Sequence, residues 1–293
     1  MTDRALHSER AVNIWSSFQR NVDPLARGAT IVPAPSIEFD QIGGLTVPKE
    51  EILTYACAAT SPEVYARWGT FPPSAMLMIG QRGSGKSLLA EALATQTQTS
   101  FVRVDVPRMV LDVIHGSGKV GELIQGWSAA LEEMPPVTVL FDELEFSQAH
   151  DMGTRATELP IGPIMDFLFE LIDRALATAH CLVLGSTAHP DTLPRAFLSP
   201  GRFERVVEVN PVFPADVIEA LAVQINGAEG QFVPDQLRKR VVERRPDTGM
   251  QILVRRRFEA EFFKGVDDAL RNAFVGIGQR AVKVEVNMSL HGV

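Results

Sequence analysis

The sequence has few of the features that mark secreted, metal-binding or membrane-spanning proteins. Among its 293 residues there are 2 cysteines, Cys57 and Cys181, which lie far apart and without Cys-x-x-Cys spacing. This pattern argues against a disulfide framework or a cysteine-based zinc site and is typical of a reducing compartment. No apolar run approaches the roughly 20 residues that span a bilayer. The N-terminal segment has no hydrophobic signal region, so we expect a cytoplasmic protein.

An excess of positive charge is also missing. Lysine and arginine together number 28, against 36 aspartates and glutamates, which gives a formal net charge of -8. This balance argues against a protein whose main task is to coat nucleic acid. Hydrophobic residues make up 45% of the chain, enough to bury a sizeable core in one large domain or two modest ones.

Short apolar runs alternate with longer amphipathic stretches from Phe39 onward. The runs predict strands at 75–79, 101–106, 137–141, 181–184 and 206–209, and the stretches predict helices at 87–95, 120–133 and 164–177. Short, continuous apolar strands separated by helices are typical of a parallel sheet covered on both faces. We therefore predict an α/β fold with a three-layer αβα core.

The composition divides the chain into three parts. Residues 1–38 predict a helix at 5–22 and a proline-containing linker at 21–36, and residues 39–210 carry the α/β pattern. Two prolines at 211 and 214 mark a boundary, after which residues 211–293 predict a smaller helical domain. The helical stretches of that domain are 215–225, 234–244 and 250–274, followed by an alternating run at 282–286.

A phosphate-binding pattern follows the first predicted core strand. Gly80 to Ser87 (GQRGSGKS) fit G-x-x-x-x-G-K-[ST] and precede a predicted helix. The glycines let consecutive backbone N–H groups turn toward phosphates, and the helix directs its positive end at them. Lys86 would contact the β- and γ-phosphates, and the Ser87 hydroxyl would bind Mg²⁺. The residues expected to bind nucleotide here are Gln81, Arg82, Gly83, Ser84, Gly85, Lys86, Ser87 and Leu88.

Two acids end the apolar strand at 137–141. A phosphate loop needs a metal-side carboxylate from a neighbouring strand, and Asp142 is expected to hold Mg²⁺ together with Ser87. Glu143 would polarise the attacking water as general base. An acidic pair alone is ordinary at a solvated strand end, but its place in this α/β pattern, 55 residues after Ser87, predicts a nucleotide-binding site that uses Mg²⁺.

These motifs resemble those of the AAA family of ATPases, in the branch of the protein-remodelling motors, over about residues 38–275. Residues 39–45 (FDQIGGL) resemble the segment whose backbone contacts adenine in that family, which implies this role for Ile42 and Gly43. Residues 142–145 (DELE) are similar to its Walker B sequence. The resemblance implies a P-loop core followed by a small lid domain, and a ring-shaped homo-oligomer, usually a hexamer.

Residues 199–205 (SPGRFER) resemble the second region of homology of the family. The resemblance implies that Arg202 and Arg205 are arginine fingers, whose planar guanidinium groups neutralise charge on the γ-phosphoryl of a neighbouring subunit. The alternative is ordinary salt bridging at a domain edge. In the segment that resembles the lid, Gly249 and Met250 fall where the lid approaches the nucleotide.

The lid segment also carries a basic cluster with two interpretations. It could meet an acidic face of the adjacent subunit or an acidic partner, or it could be a solvated helical face. The cluster consists of Arg238, Lys239, Arg240, Arg244, Arg245, Arg255, Arg256 and Arg257.

Two departures from the family pattern bear on function. Ala188 stands where the family carries an asparagine that helps to hold the attacking water, and losing such a group can cost about 10²-fold in turnover. Thr187 or His189 could substitute. The stretch from Val113 to Glu122 lacks the aromatic residue that threading motors use to grip a chain, and Ile114 or Val120 would be a weaker contact.

Three functions follow as hypotheses. The first is an ATPase ring that remodels or disassembles a protein complex. The second is a nucleotide-gated assembly or scaffold protein with slow or absent hydrolysis, which Ala188 and the missing pore aromatic favour. The third, a loader acting on nucleic acid, has support only from the lid arginines and is opposed by the net charge of -8. We expect the first.

Overall fold

The computed structural model describes residues 3–67, 69, 73–115, 119–145, 161–210, 216, 219–220 and 222–223. The strands within these ranges are β1 (Ala29–Val32), β2 (Ala75–Ile79), β3 (Ser100–Asp105), β4 (Val137–Asp142), β5 (Cys181–Thr187) and β6 (Phe203–Glu208). The α-helices there are α1 (Asp3–Asn21), α2 (Asp23–Arg27), α3 (Thr46–Thr60), α4 (Pro62–Arg67), α5 (Lys86–Gln96), α6 (Val106–His115), α7 (Val120–Glu133) and α8 (Ile161–Ala177). None of the described helices is long and apolar enough to cross a bilayer.

The strands form one sheet in the order β1-β3-β4-β5-β2-β6. All neighbouring strands pair in parallel except β1, which runs antiparallel to β3. The α/β class predicted from the sequence is confirmed, although the sheet is mixed at this edge. Ligands of open α/β sheets bind at the carboxyl ends of the parallel strands. We therefore expect a site at the carboxyl ends of β2 to β6.

The central strand β4 shows why these residues form a covered sheet, since all of its residues are buried. Val137, Val139 and Phe141 face an apolar cluster to which α1, α2, α6, α7 and α8 contribute. Alternate residues of a strand point to opposite faces, so Leu140 and Asp142 face the other side. There α5 packs against β3 and β4. The last residue of β4 therefore faces the helix that follows the phosphate loop.

Each strand and helix predicted within the core overlaps an element of the structure, but α3, α4 and α6 were not predicted. The region around Val113 and Ile114, which was expected to be a loop, is the last turn of α6. Asp105 caps the helix, because its carboxylate accepts the N–H of Arg108 at 3.0 Å. Pro107 stands in the first turn, where its missing N–H costs nothing. Residues 116–118, part of the expected pore loop, lie outside the described residues.

The N-terminal segment differs from its prediction. The helix expected at 5–22 is confirmed as α1, but residues 21–36, expected to be a linker, contain α2 and strand β1. α1 joins the core through an aromatic series in which Phe18 lies 5.0 Å from Trp15 and 6.0 Å from Trp127, centroid to centroid. Trp127 in turn lies 6.2 Å from Phe141 of β4. A strand of four residues gives little periodicity to read in a sequence.

The chain divides into two compact units. The first comprises Met1–Phe39, Glu50–Ile79 and Lys86–Glu208 and contains the sheet. The second comprises Asp40–Lys49, Gly80–Gly85 and Val209–Val293. Within the helix predicted at 215–225, the described residues 216, 219–220 and 222–223 are helical. The remaining predictions for the C-terminal part, including the boundary at 211 and the basic cluster, lie outside the described residues and stay predictions.

Candidate functional site

Asp142, the last residue of β4, is the centre of a polar cluster in the first unit. The Ser87 hydroxyl, at the start of α5, donates to its Oδ2 at 3.0 Å, although the two residues are 55 positions apart. Asp142 is buried, with 4% of its surface exposed. The two residues that the sequence assigned to Mg²⁺ are thus in direct contact. Their hydroxyl and carboxylate oxygens are ligands of the type that Mg²⁺ prefers, so the pair fits that cation.

Two further side chains hold the Asp142 carboxylate. Arg103 of β3 donates to Oδ2 through Nε at 2.7 Å and lies 2.7 Å from it through Nη2. Ser186 of β5 donates to Oδ1. Neither Arg103 nor Ser186 was predicted as a site residue from the sequence. The available signal was their place on the strands that flank β4, since parallel neighbours bring polar side chains near their carboxyl ends together.

Glu143, the first residue after β4, has a left-handed backbone with φ of 58°. Such a conformation costs a non-glycine residue on the order of 1–3 kcal/mol, and it is kept where surrounding contacts fix it. Here the fixing contacts come from Ser186, whose hydroxyl accepts the Glu143 N–H at 3.2 Å and whose carbonyl accepts the Leu144 N–H at 3.0 Å. The turn that carries the predicted general base is therefore held by β5.

The end of β5 is held by a second acid. Glu145 is buried, and its Oε1 accepts the N–H of Ala188 at 3.0 Å. In the described part of the chain its Oε2 has no hydrogen-bond partner. Thr187 is also buried, and its hydroxyl accepts the N–H of His189 at 3.1 Å. The backbone at Ala188 is thus fixed, while its side chain supplies no polar atom.

The phosphate loop, Gly80–Gly85, belongs to the second unit and ends where α5 begins in the chain. Gly83 and Gly85 have φ of 79° and 98°, values that side-chain-bearing residues rarely adopt. Within the loop the Ser84 N–H donates to the Gln81 carbonyl at 3.2 Å, and the Gln81 N–H donates to Asn210 Oδ1 at 3.2 Å. Asn210 was not predicted as a site residue. The positions of Gly83 and Gly85 therefore require the conformational freedom of glycine.

The segment predicted to contact adenine also lies in the second unit. A Cβ at Gly43 would come within 2.3 Å of the Glu219 carbonyl oxygen and 2.4 Å of Ala220 Cα, so only glycine fits. Ile42 is buried, and its carbonyl accepts a hydrogen bond from Lys49. Gly249 and Met250 lie outside the described residues.

The two predicted finger arginines make ion pairs within their own chain. Arg202 forms a two-point pair with Asp173 of α8, with both N–O distances 2.7 Å, and its guanidinium lies 4.3 Å from the Phe169 ring centroid. The hydrogen bond with Asp173 raises the pKa of Arg202. Arg205 donates to Glu51 Oε2 through Nε at 3.0 Å. Their action on a neighbouring subunit stays a prediction.

Comparison with known proteins decides the family. The profile described as ATPase family associated with various cellular activities (AAA) matches residues 76–211, which include the phosphate loop, the acid pair and both finger arginines. Residues 76–211 form an AAA domain. The resemblance drawn from the sequence motifs is thereby confirmed, and the P-loop α/β core of such a domain agrees with the sheet described above.

Relatives with names include archaeal proteins. The proteasome-activating nucleotidase of Archaeoglobus fulgidus is 31% identical over 209 residues, which cover 70% of this chain and 52% of that protein. The proteasome-activating nucleotidase of Methanocaldococcus jannaschii is 29% identical over 209 residues, with 70% and 48% covered. Protein CdcH of Halobacterium salinarum is 29% identical over 189 residues, with 64% and 25% covered. The chain thus spans about half the length of the nucleotidases and a quarter of CdcH.

Proposed function

We propose that this chain binds and hydrolyses Mg-ATP in a ring-shaped homo-oligomer, most simply a hexamer, and uses the cycle to remodel a protein complex. The observation that carries the proposal is the contact between Ser87 and Asp142, 3.0 Å apart. A strand-end carboxylate beside the hydroxyl that ends a phosphate loop is the arrangement that P-loop enzymes use for Mg-ATP. The AAA domain at residues 76–211 supports the same activity.

The residues of the phosphate loop have distinct tasks in this proposal. Backbone N–H groups of residues 81–85, with the helix N-terminus that follows, would receive the phosphates, and Lys86 would pair with the β- and γ-phosphates. Ser87 and Asp142 would hold Mg²⁺, which when bound neutralises the phosphate charge that builds up during transfer. Lys86 is 8% exposed, so its ammonium acts where water screens it little.

Water activation is assigned to Glu143. Its carboxylate would accept a proton from the attacking water as the bond to the γ-phosphorus forms, with ADP as leaving group. Because Ser186 and the turn after β4 fix the backbone of Glu143, orienting its carboxylate during the reaction costs less conformational entropy. Arg202 and Arg205 would complete the neighbouring site, and each would have to leave its present carboxylate, Asp173 or Glu51, to do so.

The names of the relatives suggest the class of substrate. Two are proteasome-activating nucleotidases, so a folded protein or protein complex is the substrate class we propose, with nucleic acid not expected. The missing aromatic residue in the stretch from Val113 to Glu122 favours partial pulling or conformational pressure over long-range threading. We propose the cytoplasm as the location, in keeping with two free cysteines, Cys57 and Cys181.

Steady-state turnover of the intact chain tests the proposal. The rate with Mg-ATP would be measured at several protein concentrations for the parent, for Glu143→Gln and for Glu133→Gln, an exposed matched control on α7. We expect a rate per subunit that rises with concentration, disappears in Glu143→Gln and is unchanged in Glu133→Gln. A rate that Glu143→Gln leaves intact would refute the assignment of the general base.

One observation favours a second function, a nucleotide-gated scaffold. Ala188 presents a methyl group where the family has asparagine, and its N–H is already used by Glu145. A chain that binds ATP tightly and assembles with it, yet shows negligible turnover at every protein concentration, would support the scaffold and contradict the motor.

A further inference from the structure

Arg103 contacts the metal-side carboxylate from β3, the strand beside β4, and no part of the phosphate-binding motif accounts for it. Its Nε and Nη2 both lie 2.7 Å from Oδ2 of Asp142. The Asp142 side chain is 5% exposed and the Arg103 side chain 47% exposed. A buried carboxylate is thus compensated by a cation that reaches it from the solvent side.

The same oxygen, Oδ2 of Asp142, also accepts the hydroxyl of Ser87 at 3.0 Å. A magnesium ion held by Ser87 and Asp142 would therefore compete with the Arg103 guanidinium for the same carboxylate oxygen, Oδ2. Two positive groups on one carboxylate repel each other, so each lowers the affinity of the carboxylate for the other. In the absence of metal, the arginine supplies the charge that this buried group needs.

We propose that Arg103 is a positioning residue that serves as the counter-charge of Asp142 while the metal is absent, and that it thereby sets the affinity for Mg²⁺. The proposal rests on the function proposed above. Arg103 holds the carboxylate at the end of β4 ready for the metal, and the metal has to compete with it. Removing the charge of Arg103 should weaken nucleotide binding in the absence of Mg²⁺. It should also lower the Mg²⁺ concentration that half-saturates nucleotide binding.

The alternative is that the ion pair only braces β3 against β4. If the pair only holds β3 against β4, its effect depends on the hydrogen bond and not on the charge. Two substitutions separate these possibilities. Arg103→Gln keeps a donor near Asp142 and removes the charge, whereas Arg103→Lys keeps the charge and removes the planar fork. Arg108→Gln on α6 is the matched control, because Arg108 forms an exposed pair with Asp112 at 3.8 Å.

The experiment is an equilibrium titration of a fluorescent, non-hydrolysable ATP analogue at increasing Mg²⁺ concentration, with an Mg²⁺-free series. For Arg103→Gln we expect the half-saturating Mg²⁺ concentration to fall about fivefold, the effect of a partly exposed ion pair. Binding without Mg²⁺ should weaken, because Asp142 is then an uncompensated negative charge beside the phosphates. Arg103→Lys and Arg108→Gln should follow the parent.

A half-saturating Mg²⁺ concentration in Arg103→Gln that equals or exceeds that of the parent would overturn the proposal. A decrease of the half-saturating Mg²⁺ concentration in Arg103→Lys as large as that in Arg103→Gln would also overturn the proposal, because the loss of charge would then not be the cause. Because Arg103→Lys retains the charge, it gives a folded comparison even if Arg103→Gln proves unstable. If the parent binds no analogue with Mg²⁺, the proposed function fails; if the parent binds and all variants share its Mg²⁺ dependence, only this inference fails.

Discussion

Ser186→Ala tests how the turn after β4 is held. Ser186 is fully buried, donates to Asp142 Oδ1, and accepts the Glu143 N–H at 3.2 Å. Alanine fits the same space but removes both hydrogen bonds. The perturbation therefore removes two polar contacts from one point without creating a large cavity.

The magnitude follows from the two contacts. A hydrogen bond to a charged group contributes about 1.5–3 kcal/mol, and a neutral backbone bond contributes about 1 kcal/mol. We expect the free energy of unfolding of the nucleotide-free chain to fall by about 2.5–4 kcal/mol. Turnover should fall as well, because the Glu143 N–H loses the partner that fixes its left-handed backbone.

Urea denaturation of the parent, Ser186→Ala and Ser128→Ala provides the measurement. Ser128 donates to Glu132 at 3.1 Å on the exposed face of α7, so its loss should change stability by less than about 0.5 kcal/mol. Equal midpoints for the two serine variants, with unchanged slopes, would refute the claim that Ser186 holds the turn.

Three other outcomes are expected. Ala188→Asn should raise ATP turnover, by up to about 10²-fold if water positioning is limiting; no gain in steady-state rate would show that this position does not limit hydrolysis. Burial raises the pKa of the Cys181 thiol to about 12, so iodoacetamide at pH 8 should label exposed Cys57 first, which peptide mass spectrometry can check. Burial also raises the pKa of the Tyr55 hydroxyl, which donates to the Val183 carbonyl at 3.0 Å. The unfolded chain therefore releases this proton first as pH rises above about 10, and stability should fall there more steeply in the parent than in Tyr55→Phe, as denaturation midpoints at pH 9 and 11 would reveal.

The periodicity of apolar residues in the sequence predicted the core strands and helix α7. Continuous apolar runs gave the core strands, and α7 has the predicted bounds, Val120–Glu133. The pairing of Ser87 with Asp142 could also be predicted, because each belongs to a motif whose place at a strand end or helix start is fixed by phosphate chemistry.

The contributions of Arg103 and Ser186 could not be predicted in the same way. Each depends on which strands lie beside β4, and strand order is a tertiary property that the chain order β3, β4, β5 only partly suggests. Strand β1 was missed for a related reason. Its four residues gain stability from pairing with β3, not from any periodicity of their own.

The two edge strands of the sheet, as the described residues form it, constrain how this protein can associate with other chains. At one edge β1 is short, and at the other β6 carries exposed Glu204, Arg205 and Glu208. Short or charged edge strands discourage the backbone pairing through which sheets of separate molecules join and aggregate. Contacts with other chains would therefore be made by side chains and not by pairing of edge strands. A truncation that removed β1 would expose the backbone of β3 to strand-to-strand aggregation.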